Sequence, residues 1–402
     1  MPYWQFLSSL PYPVNSDTGP LPRYLQSQAL SFVCLRMSST WTERIQTSFI
    51  PNMVSLPYSP RNNYISIAKA IGIILMVVGH SGCPDTIGKF IYLFHMPLFF
   101  VCSGYFFKEV SDKSALLSFY KKRMKGLYLP YIKWSLLFIL LHNSFRFIHI
   151  TESAIYQKEE YFRQIIKMIA MTDYELLIRP FWFIKELLWA SLIVATISYL
   201  NNRLPTRKQP ESFFLLFLIA SVISKFLPFM PLIGDCSILC FSVLYYYSGI
   251  LLYKHKRYIH LTDTTTILSF IIVLIGSFYF IGTIDMRFTD VYNQIPYYLL
   301  SLAGIIMVLS LSIKLEKNKI VSLLYYIGNH TMPILALNLL ALKLGNLFKI
   351  WIYGLPIEYL SSYTVIHVHN SWFWLIYTIF GVAIPLLTHF LYFKSVNICI
   401  SH

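Results

Sequence analysis

From residue 64 onward the chain alternates long apolar stretches with short polar breaks. Each stretch runs for ~17–23 residues, the length a helix needs to cross a hydrocarbon layer ~30 Å thick. They fall near 64–83, 87–107, 127–148, 181–200, 212–229, 236–253, 265–283, 295–313, 327–347 and 372–393. The pattern predicts an all-α polytopic membrane protein of about ten transmembrane helices. Residues 1–60 differ in kind, because Pro2, Pro11, Pro13, Pro20 and Pro22 leave no stretch long enough to span and no signal-peptide pattern is present. They are expected to be a disordered or mis-called N-terminal extension, with translation starting near Met53. A membrane domain over 61–395 and a cytoplasmic tail over 396–402 follow.

Charge orients this array. Fifteen Lys and Arg lie in alternate breaks, from Lys108 through Lys121, Lys122, Arg123 and Lys125 to Lys319, while six lie in the others: Lys158, Arg163, Lys167, Arg179, Arg287 and Lys349. Cytoplasmic loops carry the excess of Lys and Arg, so N- and C-termini are both expected on the cytoplasmic side. The same distribution assigns the net charge of +15 to membrane orientation and excludes a nucleic-acid partner. Composition agrees: charged residues make up 13% of the 402, against about 25% in a soluble chain. Six cysteines show no CxxC pair and no zinc spacing, so neither disulfides nor a structural metal is expected. His367 and His369 form an HxH pair without an acidic or Cys partner, and no metal site or bound cofactor is expected there or elsewhere.

Two outward loops have patterns of their own. Within 149–180, Phe162, Ile165, Ile166 and Ile169 fall at helical spacing with Arg163 and Lys167 opposite, which suits a helix lying in the interface. The acids Glu152, Glu159, Glu160, Asp173 and Glu175 of that loop are expected to face water or an acceptor substrate. The loop 349–371 carries Trp351, Tyr353, Tyr359 and Tyr363, an interfacial aromatic belt or a sugar-stacking platform. No fixed-period repeat is present, but SGYFFK (103–108) echoes SGILLYK (248–254). In both, a Ser–Gly lets helices approach and a Lys snorkels to the surface.

Candidate chemistry is concentrated between Lys69 and Tyr105. Lys69 and His80 are eleven residues apart, three helical turns plus about 20°, so they share one face and stand ~16 Å apart along the axis. An intramembrane Lys costs about 2.5–3.5 kcal/mol on insertion scales and marks a functional site by default. Two readings of His80 follow: it caps the outer end of its span and bonds a neighbour, or it does chemistry. Gly72 and Gly79 on the same helix are expected to admit a neighbouring backbone. In FHMPLFFVCSGY, Pro97 frees a carbonyl that something must satisfy, and His95 either meets a need of that kind or lines a site together with Ser103. KKRMKGLYLPY (121–131) presents Lys121, Lys122, Arg123 and Lys125, as orientation anchors or as a clamp for phosphates. In PFWFIKELLW (180–189), Lys185 and Glu186 snorkel or pair with the Lys69–His80 face, and Trp182 belongs to the interface belt or lines the site.

The order of these motifs resembles the acyltransferase-3 family of bacterial integral-membrane O-acyltransferases: a basic residue eleven positions before His, then FHMPLFFVCSGY, then KKRMKGLYLPY. The resemblance spans roughly 60–395 and is most specific in the first two motifs. It implies that Lys69 occupies the family's basic position and His80 its essential His. The family's Arg-x-x-Arg pair falls on Lys122 and Lys125, with Arg123 between them, so lysines stand in place of the usual arginines. It further implies acetyl-CoA as acyl donor on the cytoplasmic side and a hydroxyl of a surface glycan or lipid-linked sugar as acceptor. The location it implies is the bacterial cytoplasmic (inner) membrane. With the chain ending soon after the tenth stretch, the membrane domain alone is expected to handle the acceptor. The alternative is a polytopic transporter or flippase for a sugar or lipid-linked saccharide, which would show paired broken helices; no such pair stands out in the sequence. A membrane acyltransferase of the other, ring-shaped type would carry a late His beside an Asn, for which GNHTMP (328–333) is the candidate.

Overall fold

A computed structural model describes residues 63–400, apart from 207, 227–234, 281, 318–319 and 369–371. The expected N-terminal extension and His369 lie outside the described residues. Helix α1 (Asn63–His80) opens the bundle and ends where Ser81 turns back onto the Val78 carbonyl and Gly82 takes a φ of 71°. The second expected span is two helices, α2 (Asp85–Tyr92) and α3 (His95–Tyr105). Pro97 has no N–H for the Leu93 carbonyl, and its ring would clash with that carbonyl in a continuing helix. The chain breaks at Leu93–Phe94 instead, and Pro97 falls in the first turn of α3, where N–H groups have no helical partner anyway.

The third span is longer than the hydropathy pattern suggested. Helix α4 (Lys113–Arg123), a π-helical turn (Met124–Tyr128) and α5 (Leu129–Phe147) form one continuous stretch of 35 residues. Pro130 cannot donate to the Gly126 carbonyl, so the ladder widens locally and the Leu129 N–H reaches back to Met124. Then come α6 (Lys158–Ile169), α7 (Trp182–Asn201), α8 (Pro210–Ile223), α9 (Cys236–Lys254), α10 (Asp263–Gly276) and α11 (Gln294–Leu315). The ninth span repeats the break of the second: α12 (Val321–Asn329) and α13 (Thr331–Tyr353) are separated at His330, with Pro333 in the first turn of α13. Helix α14 (Trp374–Ile400) continues through the residues expected to form a separate tail.

Among the described residues there is no strand, and each of the ten expected stretches carries a helix. Seven helical stretches are long and apolar enough to cross a membrane, while α1 and α10 are apolar but shorter. The molecule is a multi-pass membrane protein. The side chains of α4–α5 and α14 are the least covered by protein, with Leu137, Leu140, Leu387 and Leu391 open to the surroundings as lipid contact requires. Phe162, Ile166 and Ile169 of α6 are likewise uncovered along one side.

Helix α1 is the hub: α2, α3, α11, α12, α13 and α14 all pack on it. Its expected glycine contacts differ from those observed. Gly72 meets the side chains of Leu98 and Phe99, and Gly79 meets the Tyr92 ring, not a backbone. The close backbone approach comes from α12, where Gly328 lies against the Ser66 carbonyl. The two Ser–Gly echoes meet each other: Gly104 of α3 lies on the Tyr246 carbonyl of α9, and Gly249 of α9 lies on the Val101 carbonyl of α3. A Cβ at either glycine therefore has to displace backbone. Gly104→Ala should cost about 1–3 kcal/mol by overpacking. A clear loss of thermal stability in detergent is expected, measured against Gly88→Ala, whose Cβ meets nothing within 4 Å.

Candidate active site

A cavity of about 600 Å³ opens beside α1. The α1 side chains that line it are Lys69, Ile73 and Met76, spaced four and three residues apart, and His80 is the next position of the same stripe. Helix α3 adds Met96, Phe99, Cys102 and Ser103, α7 adds Phe183, Ile184 and Leu187, and the start of α13 adds Thr331 and Met332. Both broken helices thus open onto the cavity just after their breaks. Irregular backbone is tolerated at membrane depth only where protein or a cavity surrounds it.

The same contact accompanies both breaks. The Nδ1–H of His95 donates to the Ile91 carbonyl at 2.9 Å, and that of His330 donates to the Tyr326 carbonyl at 2.7 Å. A carbonyl only accepts, so Nδ1 carries a proton in both rings. The sequence motifs HMP and HTMP mark these sites. Paired broken helices, which the hydropathy pattern had not suggested, are therefore present.

The basic end of the cavity is built by Lys69, Lys108, Lys122 and Arg123. Lys69 makes no hydrogen bond or ion pair among the described residues, so its ammonium is available to a ligand. Arg123 is oriented by the Tyr246 hydroxyl, to which it donates at 2.8 Å, and by the Phe119 ring 5.0 Å away. The phosphate clamp expected from four cations is narrower here. Lys121 and Lys125 are exposed and line no part of the cavity; Lys122 and Arg123 do.

At the other end, the lining stops at Met76 and Met96, one turn short of His80. His80 makes no hydrogen bond among the described residues, so the reading of it as a bonded cap does not hold. Its electrostatic neighbours are His95, Arg287 and Asp285. Tyr92 ties this end together: its hydroxyl donates to the Gly79 carbonyl at 3.0 Å, and its ring meets that of His95 edge-on at 5.1 Å. A hydroxyl of α11, on Tyr297, donates to the Tyr92 carbonyl at 2.9 Å and brings the α10–α11 loop alongside.

A family model described as an acyltransferase domain, acyltransferase-3, matches residues 62–390. The chain belongs to the acyltransferase-3 family. No curated protein and no solved structure matches it. For an acyltransferase of this family, the geometry sorts the sequence candidates clearly. Lys69, Ser103, Lys122 and Arg123 surround one cavity, and His80 and His95 lie beyond the Met76–Met96 end of its lining.

Other candidates are placed elsewhere. Lys185 and Glu186 are buried in α7, but the residues of that helix facing the cavity are Phe183, Ile184 and Leu187. Glu186 has Asp235 and Tyr174 as electrostatic neighbours, not the Lys69–His80 face, because it lies on the side of α7 turned from the cavity. Trp182 lines no part of the cavity either; the Arg287 guanidinium lies 5.0 Å over its ring. Among the described residues no cluster of His, Cys, Asp or Glu has a metal-holding arrangement, and His367 is exposed.

Several charged residues behave unlike the sequence expectation. Glu175 is buried and binds His142 Nδ1 at 2.9 Å, under a stacked Tyr156 ring, instead of facing water. Lys349, assigned to an outward loop, is buried in α13 and donates to the Ile366 carbonyl at 2.7 Å. Lys343, one face along, donates to the carbonyls of Leu360 and Ser362, and Asn346 between them accepts from the Ile366 N–H at 3.2 Å. The spacing 343, 346, 349 holds the strap 355–368 by its backbone and sets Tyr363 beside Arg179. A hydrogen bond from a charged group contributes about 1.5–3 kcal/mol. Lys343→Met should therefore open the strap at least tenfold more often, read as faster hydrogen exchange of the 357–366 amides with α3 and α9 unchanged.

Proposed function

We propose that this acyltransferase is an O-acetyltransferase that takes the acetyl group of acetyl-CoA on the cytoplasmic side and places it on a hydroxyl of a cell-surface glycan or lipid-linked sugar. The observation that carries this reading is the α1 stripe. An unpaired cation, an apolar passage past Ile73 and Met76, and an unbonded imidazole follow one another on a single face. The termini are then cytoplasmic, and the host membrane is the bacterial inner membrane.

On this reading the donor's phosphates meet Lys122 and Arg123, where charge-assisted hydrogen bonds favour binding, and the thioester arm lies along Met76 and Met96. Lys69 is placed for a phosphate or the thioester oxygen, whose developing negative charge it stabilises. His80 takes the proton of the acceptor hydroxyl as that oxygen bonds to the acetyl carbon, and the carbon–sulfur bond breaks to release coenzyme A thiolate. Transfer through an acetyl-imidazole on His80 is the two-step variant of the same chemistry. An apolar wall favours the neutral ring that either route needs.

The paired broken helices give the transporter reading its one specific support. Incubating membranes with radiolabelled acetyl-CoA separates the two: label in a glycan or small alcohol supports transfer, and label in no fraction supports transport. His80→Ala should abolish transfer while the protein still inserts, whereas His330→Ala should retain it. The reverse result would assign the chemistry to the GNHTMP histidine. Arg123→Ala should raise KM for acetyl-CoA about tenfold, the loss of one charged hydrogen bond of ~1.4 kcal/mol; Lys121→Ala should leave it within twofold.

A further inference from the structure

The His80 end of α1 carries a second group of polar residues that the donor cavity does not use. Arg287 lies in the loop between α10 and α11, with Asp285 two residues before it. Asp285 holds the arginine three times: through the Arg287 backbone N–H at 2.7 Å, Nε at 3.4 Å and one terminal nitrogen at 2.8 Å. The guanidinium lies 5.0 Å over the Trp182 ring and 4.9 Å over the Phe288 ring. It is fixed in direction yet 28% exposed, while Asp285 is 13% exposed. An arginine has five N–H donors, and Asp285 takes two of them from the side chain. The remaining three have no partner among the described residues. Both charges act on His80 and on His95, and the guanidinium sits on Trp182, the residue before the cavity-lining Phe183 in α7.

We propose that Arg287, held by Asp285 against Trp182, orients the acceptor, and that the acceptor site is a saccharide site at the opposite end of α1 from the donor's basic entrance. The chemistry selects the ligand. A planar fork with free donors recognises paired oxygens on adjacent carbons. The Trp182 and Phe288 rings lie against the guanidinium and fix its plane, so its free edge is what meets the ligand. Glycerol carries paired oxygens too, but on a freely rotating chain, whereas a pyranose ring holds them at a fixed spacing. Asp285 acts through Arg287: it neutralises part of the charge and removes the side chain's freedom, so the fork is pre-organised. The two substrates then approach His80 from opposite ends of one helix, and donor and acceptor affinity are set by separate residues. This inference rests on the transferase reading for its use, but not for its test.

The test is saturation-transfer NMR on the full chain in lipid nanodiscs, with methyl pyranosides of glucose, galactose, mannose and rhamnose, and with glycerol. At least one pyranoside should show saturation, and glycerol should bind at least fivefold more weakly. Arg287→Lys, which keeps the charge and loses the fork, and Trp182→Phe, which keeps a ring, should each weaken that binding at least fivefold. Lys122→Ala at the donor entrance should leave it unchanged. Saturation that survives both variants, or none with any pyranoside, overturns the proposal. Thiol release from acetyl-CoA on the same samples reports the transferase separately: pyranoside binding without thiol release in any sample overturns the transferase reading and leaves the site standing. Where release occurs, Arg287→Lys should raise KM for the pyranoside with KM for acetyl-CoA unchanged, and a parallel rise in both overturns the assignment.

Discussion

A helix interrupted inside an apolar bundle exposes carbonyls that no water reaches, and the bundle holds together only if a neighbouring donor satisfies them. Here the donors are of two kinds. Backbone N–H groups turn back at each break, Phe94 onto the Ile91 carbonyl at 3.2 Å and His330 onto the Tyr326 and Ile327 carbonyls at 3.1 and 3.0 Å. The imidazoles of His95 and His330 add a second donor to the Ile91 and Tyr326 carbonyls, and the Tyr297 hydroxyl supplies the Tyr92 carbonyl. The widened turn before Pro130 is a third response to the same constraint, in which the ladder slips by one residue instead of breaking. All three irregular segments border the cavity, through Met96, through Thr331 and Met332, and through Gly126 and Leu127. The prolines are thus the reason the bundle has an interior space beside α1.

Cations inside the apolar region divide into two kinds. Lys343 and Lys349 are fully enclosed and spend their donors on backbone carbonyls of the strap 355–368. They are struts, and the strap they hold carries Tyr363 toward Arg179. Lys69 is only partly enclosed and has no hydrogen-bond or ion-pair partner among the described residues, so its charge is left for something that enters. An ammonium that the protein does not satisfy must meet water or a ligand, and this difference separates the site from the scaffold better than residue type does. Arg287 is intermediate: two of its five side-chain donors are spent on Asp285 and three are not.

The tight crossing of α3 and α9 supports both ends of this arrangement. Gly104 and Gly249 let the two backbones touch, which brings Tyr246 to Arg123 and fixes one wall of the donor entrance. The same pair positions α3 so that Ser103 and Cys102 face Lys69 across the cavity. Packing between small residues drives association where no hydrophobic effect operates between helices, so the geometry of the site and the cohesion of the bundle share one contact.

Much of this was legible along the chain. Hydropathy placed a helix in each of the ten apolar stretches, because the ~30 Å hydrocarbon layer imposes a length on each, but not the polar turns Lys113–Arg123 that lengthen the third. The common face of Lys69 and His80 follows from 3.6 residues per turn, and the Ser–Gly echoes already announced a close crossing. These are local properties, decided within one helix or by the solvent around it. What no periodicity carries is the identity of partners that are distant in sequence. Arg287 looked like one outward charge among six until Tyr297 brought its loop to Tyr92 and His80. Lys349 looked like a loop residue until the strap supplied Ile366 to receive it. Glu186 looked like a partner for Lys69 until the rotation of α7 turned it toward Asp235. Helix length and facing angle are set by covalent geometry and the bilayer, so the sequence alone determines them. Which buried charge meets which donor or acceptor is set by how the helices pack around α1, and only the tertiary structure decides it.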